Sequence, residues 1–250
     1  MSRGPLLLPD WLQPLRDSLT GDLDSRPDRT RPRGRAAAAG GRPAGVLVLF
    51  GEDRDGPDLL FIERSSALRA HPGQVAFPGG GIEDVDADVV AAALREAQEE
   101  TGLDPAGVEV FGELDPLGLS VSGFQVTPVL AWWRDQTPVA VVDPGEVAAV
   151  QRIPISALTD PGNRYVTVHP RGHRGPGFLI GELLIWGFTA YVLDGILTRG
   201  GWQRPWDNHR TMAVPSRYLG RQPVAGPDLD APDLDAPDLN PPAGTEPHDI

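Results

Sequence analysis

The sequence of 250 residues contains no cysteine and no lysine. Without thiols the chain forms no disulfide, has no thiolate nucleophile and cannot bind zinc through cysteine. All 22 basic residues are arginines, which we attribute to genome composition. A chain without disulfides fits a reducing compartment, and we therefore predict a cytoplasmic location.

The chain also lacks long apolar runs and an excess of basic residues. The N-terminal stretch MSRGPLLLPDWLQPL has too short an apolar run for a signal peptide. The longest apolar stretch, residues 177–197, includes Glu182 and Asp194, which favours a core strand and helix over a membrane span. Because the net charge is −13, we expect neither nucleic acid nor membrane as a partner.

Composition divides the chain into one domain and two tails. Residues 1–43 start with a short amphipathic helix around Trp11 and continue into an Arg-, Pro- and Gly-rich stretch, which predicts a partly flexible arm. Residues 221–250 repeat an acidic, proline-rich unit typical of disorder. Residues 44–220 contain the strand-like and helical segments, so we expect residues 40–222 to fold alone and to retain activity.

Strand-like segments outnumber helical ones in the domain. Apolar runs bounded by turn residues predict strands at 44–50, 58–64, 108–114, 124–133 and 148–153, and a late hairpin over 164–170 and 177–180. Helical spacing is found before Gly102 and, approximately, at 183–197. This mixture predicts an α+β or α/β sandwich with a mixed sheet.

Three acids are crowded at the end of the first of these helices. We expect Asp86 or Asp88 to cap the helix, which runs to about Thr101 before Gly102. Glu96, Glu99 and Glu100 share one face, although like charges repel there and oppose the helix dipole, each effect costing about a few tenths of a kcal/mol. Clustered carboxylates suit Mg²⁺ or Mn²⁺, and a solvated acidic helix end is the alternative.

The residues around these acids resemble the Nudix box, the signature of Nudix hydrolases. The matching residues are Gly80, Asp86, Arg95, Glu96, Ala97, Glu99, Glu100, Gly102 and Leu103. Asp86 replaces the glutamate of the family pattern, and eight residues rather than seven separate it from Arg95. We therefore assign Asp86 no strong role.

The upstream stretch is similar to a second signature, which marks the coenzyme A pyrophosphatase branch of this family. The matching residues are Arg64, Ser65, Arg69, Gly73, Phe77, Pro78, Gly79 and Gly80. This signature leads directly into the box, and the resemblance extends over about residues 44–200.

The resemblance implies a Nudix fold, an α/β (α+β) fold with a mixed sheet between helices and a loop–helix–loop box. It also implies hydrolysis of CoA or acyl-CoA, with Mg²⁺ or Mn²⁺, to 3′,5′-ADP and 4′-phosphopantetheine. The expected metal ligands are Glu96, Glu99, Glu100 and Gly80. The expected catalytic residues are Glu99, Glu100, Arg95 and Glu146, and the expected substrate contacts are Arg64, Arg69, Gly79 and Gly81. The two arginines are expected to bind phosphates, for instance the 3′-phosphate.

Two other functions stay open at this point. One is hydrolysis of another nucleotide, such as ADP-ribose, a dinucleoside polyphosphate or an oxidised nucleoside triphosphate. The other is a non-catalytic module that binds a nucleotide, which the intact set of three glutamates disfavours. In each case the expected partner is a small-molecule nucleotide, and the protein is expected to be a monomer or a homodimer.

Overall fold

The computed structural model describes residues 8–20, 41–68, 70–119 and 123–219. The helices of this part are α1 (Gln13–Thr20), α2 (Val89–Thr101), α3 (Ile155–Leu158) and α4 (Gly187–Arg199). The strands are β1 (Arg42–Asp53), β2 (Gly56–Arg64), β3 (Val75–Ala76), β4 (Gly79–Gly81), β5 (Val108–Glu113), β6 (Leu117–Leu119), β7 (Phe124–Trp133), β8 (Val147–Pro154), β9 (Arg164–Val168), β10 (Arg174–Ile180), β11 (Leu183–Ile185) and β12 (Thr211–Ala213).

The larger sheet is mixed and has β1 near its centre. Its strands follow the order β3-β2-β1-β7-β5, and β4, β6 and β8 pair with β1, β7 and β2 respectively. Strands β1 and β7 run parallel, whereas β1 and β2 form an antiparallel pair. The strands predicted at 44–50, 58–64, 108–114, 124–133 and 148–153 all belong to this sheet.

Helices cover both faces of the larger sheet. Leu47 and Leu49 of β1 pack with α2 in one apolar cluster. Val48 and Phe50 point to the opposite face and join a second cluster, which includes residues of α1 and α4. This alternation is the period-two pattern of a strand buried on both faces. The predicted mixed sheet between helices is therefore confirmed.

The late hairpin lies in a separate, smaller sheet. Strands β9 and β10 form the predicted antiparallel hairpin, and β11 and β12 extend it to the order β11-β10-β9-β12. The predicted helix over 183–197 is wrong at its start, because residues 183–185 form β11 and pair with β10. The helix begins only at Gly187, after an extended Trp186.

The N-terminal segment contributes to the core. The predicted amphipathic helix is present as a 3-10 turn over Asp10–Leu12 followed by α1. Leu12 and Leu15 are fully buried in the cluster that contains α4. A fragment of residues 40–222 lacks both leucines, and its ability to fold alone and to retain activity stays a prediction. The Arg-rich stretch at 21–40 and the repeat at 221–250 lie outside the described residues.

No helix in the described part of the chain is long and apolar enough to cross a membrane.

Candidate active site

Helix α2 presents the acidic cluster beside the larger sheet. Asp88 caps its N-terminus, where its Oδ1 accepts a hydrogen bond from the amide of Ala91 at 2.8 Å. Gly102 ends the helix in the left-handed conformation, at φ +70°. Ala93 and Ala97 are buried against the sheet, as their spacing predicted. The predicted helix and both of its ends are confirmed.

The glycine segment before α2 forms a short strand. Residues 79–81 form β4 and pair antiparallel with β1, with Gly80 opposite Gly45. A Cβ atom on Gly80 would lie 2.4 Å from Oε1 of Glu96, and one on Gly79 would lie 2.3 Å from the carbonyl oxygen of Gly45. Gly79 therefore requires glycine, because the backbone of β1 approaches it so closely, whereas a side chain at Gly80 would displace the carboxylate of Glu96.

Glu100 is the most buried acid of the cluster. Its side chain is 7% exposed and accepts a hydrogen bond from the amide of Gly79 at 3.0 Å. Burial raises the pKa of Glu100 to about 7, although the Gly79 amide and Arg64 act in the opposite direction. Glu96 and Glu146 raise this pKa further through their negative charges. The site thus concentrates negative charge that the neighbouring arginines neutralise only in part.

Glu96 lies one helical turn before Glu100 and is half-buried. Burial raises the pKa of Glu96, while the guanidinium of Arg95 lowers it. Oε1 of Glu96 accepts a hydrogen bond from Nη1 of Arg95 at 3.1 Å. Two partly desolvated carboxylates therefore lie on one face of α2, next to the backbone of Gly80.

Arg95 connects the loop before α2 to the helix. Its Nε donates to Oδ1 of Asp86 at 3.0 Å, and its Nη2 donates to Oδ2 of Asp86 and to the carbonyl oxygen of Gly81, at 3.0 and 3.1 Å. Its Nη1 also donates to Oε2 of Glu99 at 3.0 Å. The pKa of Arg95 is raised, with the Asp86 hydrogen bond as the largest cause. Arg95 thus holds Asp86 of the loop together with Glu96 and Glu99 of the helix.

Asp86 has a larger role than the sequence suggested. Both carboxylate oxygens of Asp86 accept hydrogen bonds from Arg95, and Oδ2 of Asp86 also accepts a hydrogen bond from the amide of Glu83 at 2.8 Å. These hydrogen bonds lower the pKa of Asp86, and those from Arg95 have the largest effect. Five residues separate Asp86 from Gly80, as they separate the glutamate from the glycine in the family pattern, and this spacing was the signal for the contact.

The other predicted residues lie at different distances from this centre. Glu99 is 59% exposed, and its recorded ion pair is with Arg95. Glu146 is exposed on the loop before β8, and its carbonyl oxygen accepts the amide of Ser65 at 2.8 Å. This contact brings the Glu146 loop to the end of β2. Arg69 lies outside the described residues.

Arg64 joins the upstream signature to the acids of α2. Its Nη1 lies 4.0 Å from Oε1 of Glu100, and its side chain is 29% exposed. Its Nε is buried and has no hydrogen-bond partner among the described residues. The backbone amide of Arg64 donates to the carbonyl oxygen of Gln74 at 2.9 Å. Arg64 of the upstream signature and Glu100 of the box thus lie next to each other in the fold.

Known proteins are similar to this chain over most of the described domain. The NUDIX domain model matches residues 41–169. The chain belongs to the Nudix hydrolase family. A Nudix hydrolase NudL of Cronobacter sakazakii is 40% identical over 172 residues, which cover 68% of this chain and 88% of that protein. The protein of the same name from Shigella sonnei is 39% identical over 181 residues, covering 71% and 93% of the two chains.

Among solved structures, a Nudix hydrolase from Nitrosomonas europaea superposes with a TM-score of 0.44 and 14% identity. The superposition covers 71% of this chain and 81% of that one. The prediction that the protein is an enzyme, a Nudix diphosphatase, is confirmed by the family match and by the named relatives.

Nudix hydrolases generally use divalent metal ions. No group of three His, Cys, Asp or Glu side chains in the described part of this Nudix domain is arranged to hold a metal ion. The donor chemistry nevertheless fits a hard cation, because Glu96 and Glu100 are partly desolvated and lie against β4, Glu96 beside Gly80 and Glu100 beside the amide of Gly79. The cation would offset charge for which Arg64, at 4.0 Å, compensates only in part.

Proposed function

We propose that this Nudix hydrolase cleaves the diphosphate bond of coenzyme A or acyl-CoA, giving 3′,5′-ADP and 4′-phosphopantetheine or its acyl derivative. The observation that carries the proposal is the contact between Arg64, a residue of the coenzyme A signature, and Glu100 of α2. Arg64 lies 4.0 Å from Glu100, and the Gly79 amide donates to the same carboxylate at 3.0 Å.

Glu96, Glu100 and the carbonyl group of Gly80 are the proposed metal ligands. Mg²⁺ or Mn²⁺ would neutralise the diphosphate charge, polarise phosphorus and increase the acidity of a bound water. Glu100 binds a cation only as a carboxylate, and its raised pKa means that cation binding competes with a proton near neutral pH. The Gly79 hydrogen bond holds one oxygen of this carboxylate in place.

Arg95 and Asp86 orient the carboxylates. Arg95 contacts Glu96 and Glu99 through one nitrogen, so the ion pair with Asp86 sets the position of both glutamates. Glu99 is exposed and lies beside the buried pair, which suits it to accept a proton at the edge of the site. Glu146 is the second candidate for this role, since its charge reaches Glu100.

The two signature arginines are proposed to bind different phosphates. Arg64 lies beside Glu100, where the diphosphate would be held, so we assign it to the diphosphate rather than to the 3′-phosphate. Arg69 is the remaining candidate for the 3′-phosphate, in keeping with its place in the signature. Gly79 and Gly81 contribute backbone that approaches the substrate closely.

A substrate panel tests the proposal. The full-length protein is incubated with CoA, acetyl-CoA, ADP-ribose, a dinucleoside polyphosphate and an oxidised nucleoside triphosphate, with Mg²⁺ or Mn²⁺, and the products are identified by mass spectrometry. We expect 3′,5′-ADP and phosphopantetheine to form fastest. Faster hydrolysis of another member of the panel would contradict the coenzyme A assignment. Nucleotide binding without any turnover would indicate a non-catalytic module.

A further inference from the structure

The end of β2 is irregular at the point where Arg64 leaves the sheet. Glu63 pairs with Ala149 of β8, whereas Arg64 pairs with Val147, so one residue of β8 is extra at this step. Such bulges bend a strand and redirect the side chains beside them. The direction of the Arg64 side chain is therefore not set by the regular sheet alone.

A short turn holds Arg64 by its backbone. The amide of Arg64 donates to the carbonyl oxygen of Gln74 at 2.9 Å, and the amide of Gly73 donates to the carbonyl oxygen of Arg64 at 3.1 Å. His71, in the same turn, has φ +55°, a left-handed conformation that is uncommon for residues other than glycine. A turn in this conformation needs contacts elsewhere to hold it.

The side chain of Gln74 supplies these contacts. Its Nε2 donates to the backbone carbonyl oxygen of Tyr218 at 2.8 Å, and its Oε1 lies 3.1 Å from Nδ1 of His71. The hydrogen bond to Tyr218 is partly buried and so is protected from full competition with water, whereas the contact with His71 is exposed. One side chain thus connects the strained turn to a segment 144 residues away.

The distant partner is firmly packed. Tyr218 is 5% exposed and lies in an apolar cluster with Leu184 and Val214. The amide of Val214 donates to the carbonyl oxygen of Val168 at 3.0 Å, which attaches this segment to the smaller sheet. The 3-10 turn Ser216–Tyr218 lies beyond residues 41–169, the region that matches the Nudix domain.

We infer that Gln74 is a positioning residue, which ties the turn holding Arg64 to the C-terminal turn at Tyr218 and so fixes Arg64 beside Glu100. The inference rests on the proposed function in one respect, namely that Arg64 binds the diphosphate of the substrate. It assigns a part in the active site to a segment outside the matched domain. Gln74 itself acts through Arg64 and needs no contact with substrate.

The test is a double-mutant cycle between Gln74→Met and Arg64→Ala. Methionine keeps the length of glutamine and removes the amide without adding charge. Gln136→Met is the matched control, since Nε2 of Gln136 also donates to a backbone carbonyl, that of Glu52, at 2.7 Å, away from Arg64. The kcat/KM is measured with whichever diphosphate the full-length protein cleaves, and the melting temperature is measured for every variant.

We expect Gln74→Met to lower kcat/KM by about tenfold, because small displacements of a positioned group are costly. In the Arg64→Ala background the same change should cost less than about twofold, since the group that it positions is gone. Equal losses in both backgrounds, or an equal loss in Gln136→Met, would overturn the inference. If Gln74→Met does not fold, Gln74→Glu, which keeps the shape but loses the donor, replaces it.

Mn²⁺ binding gives a second readout that needs no substrate. With Gln74→Met, Arg64 no longer holds its charge beside Glu100, so we expect the affinity for Mn²⁺, measured by electron paramagnetic resonance, to rise by about threefold. No such rise should occur when Arg64 is alanine, and a rise there would overturn the inference. Failure to cleave CoA would refute the proposed function alone. The kcat/KM comparison can still be made with another diphosphate, and the Mn²⁺ comparison needs no substrate.

Discussion

Arg95 and Asp86 form a bidentate ion pair, in which Nε and Nη2 of the arginine donate to Oδ1 and Oδ2 of the aspartate, each at 3.0 Å. The aspartate replaces the glutamate of the Nudix pattern, and the segment that separates it from Arg95 is one residue longer. The shorter side chain still reaches the guanidinium group. The two departures from the family pattern therefore occur together in a single contact that connects the loop to the helix.

Asp86→Asn should weaken the ion pair that positions Arg95, and through Arg95 the side chains of Glu96 and Glu99. The amide keeps the shape of the carboxylate but loses its charge and one acceptor, so Arg95 loses its charge-assisted bidentate partner. We expect kcat/KM to fall by about tenfold because Glu96 and Glu99 are no longer held in position. Steady-state kinetics measure the loss, and Asp84→Asn, at an exposed neighbouring position, is the control. Equal rates in the two variants would contradict the role of Asp86.

Glu96→Gln and Glu100→Gln should each lower turnover by orders of magnitude while leaving the fold intact. Removal of either carboxylate takes away a proposed metal ligand and the charge that it supplies. Turnover is measured at saturating Mg²⁺ and Mn²⁺, and circular dichroism tests the fold. Glu113→Gln, at an exposed position on β5, is the control. Near-wild-type rates in both site variants, with metal still required, would refute the assignment.

Glu100 should make the stability of the metal-free protein depend on pH. Its pKa is raised to about 7 by burial, above the value of 4.5 for an ordinary glutamate, so the folded state binds the proton more tightly than the unfolded state. Stability is therefore lost as the pH rises from about 4.5 to about 7, with an upper limit on the order of 3 kcal/mol. Added metal ion should oppose this loss because it binds the carboxylate.

Chemical denaturation in a chelator at pH 5 and pH 7.5 measures this effect, as the difference between the wild type and Glu100→Gln. The subtraction removes the contributions of the other titrating groups. We expect the wild type to lose more stability than the variant on going to the higher pH. An identical pH dependence in the two proteins would mean that folding does not raise the pKa of Glu100.

Leu15→Ala should destabilise the protein by about 2–5 kcal/mol, the usual cost of a cavity at a fully buried leucine. Urea denaturation measures the change, with Val85→Ala, at a position that is 79% exposed, as the control. A fragment of residues 40–222 lacks α1 entirely. Its loss of unfolding free energy, relative to the full chain, should therefore exceed the loss caused by Leu15→Ala. Equal stability of the fragment and the full chain would contradict the packing of this helix.

Local patterns predicted much of the structure. Asp88, Gly102 and the stripe of alanines marked α2, because caps and periodicity act within a few residues. Leu12 and Leu15 have the spacing of an amphipathic helix, but nothing near them indicates that α4 covers this face. Short-range patterns cannot reveal such a partner, which is distant in sequence.

The acids of the site were evident for the same reason, since Glu96 and Glu100 share one helix face. The link from Gln74 to Tyr218 was not predictable, because it joins a loop to a backbone carbonyl group 144 residues away. Such an acceptor has no side-chain identity that a sequence can display. The bulge between β2 and β8, which lies beside Arg64, likewise has no reliable sequence signal.

The ratio of kcat/KM for CoA to that for 3′-dephospho-CoA tests the coenzyme A assignment most directly. A site built for the 3′-phosphate leaves a cation unpaired when that group is absent, so we expect a ratio of about ten to one hundred for the wild type. Arg69→Ala should remove most of this preference, whereas Arg64→Ala should slow both substrates alike. A wild-type ratio near one, together with faster cleavage of ADP-ribose than of CoA, would contradict the account.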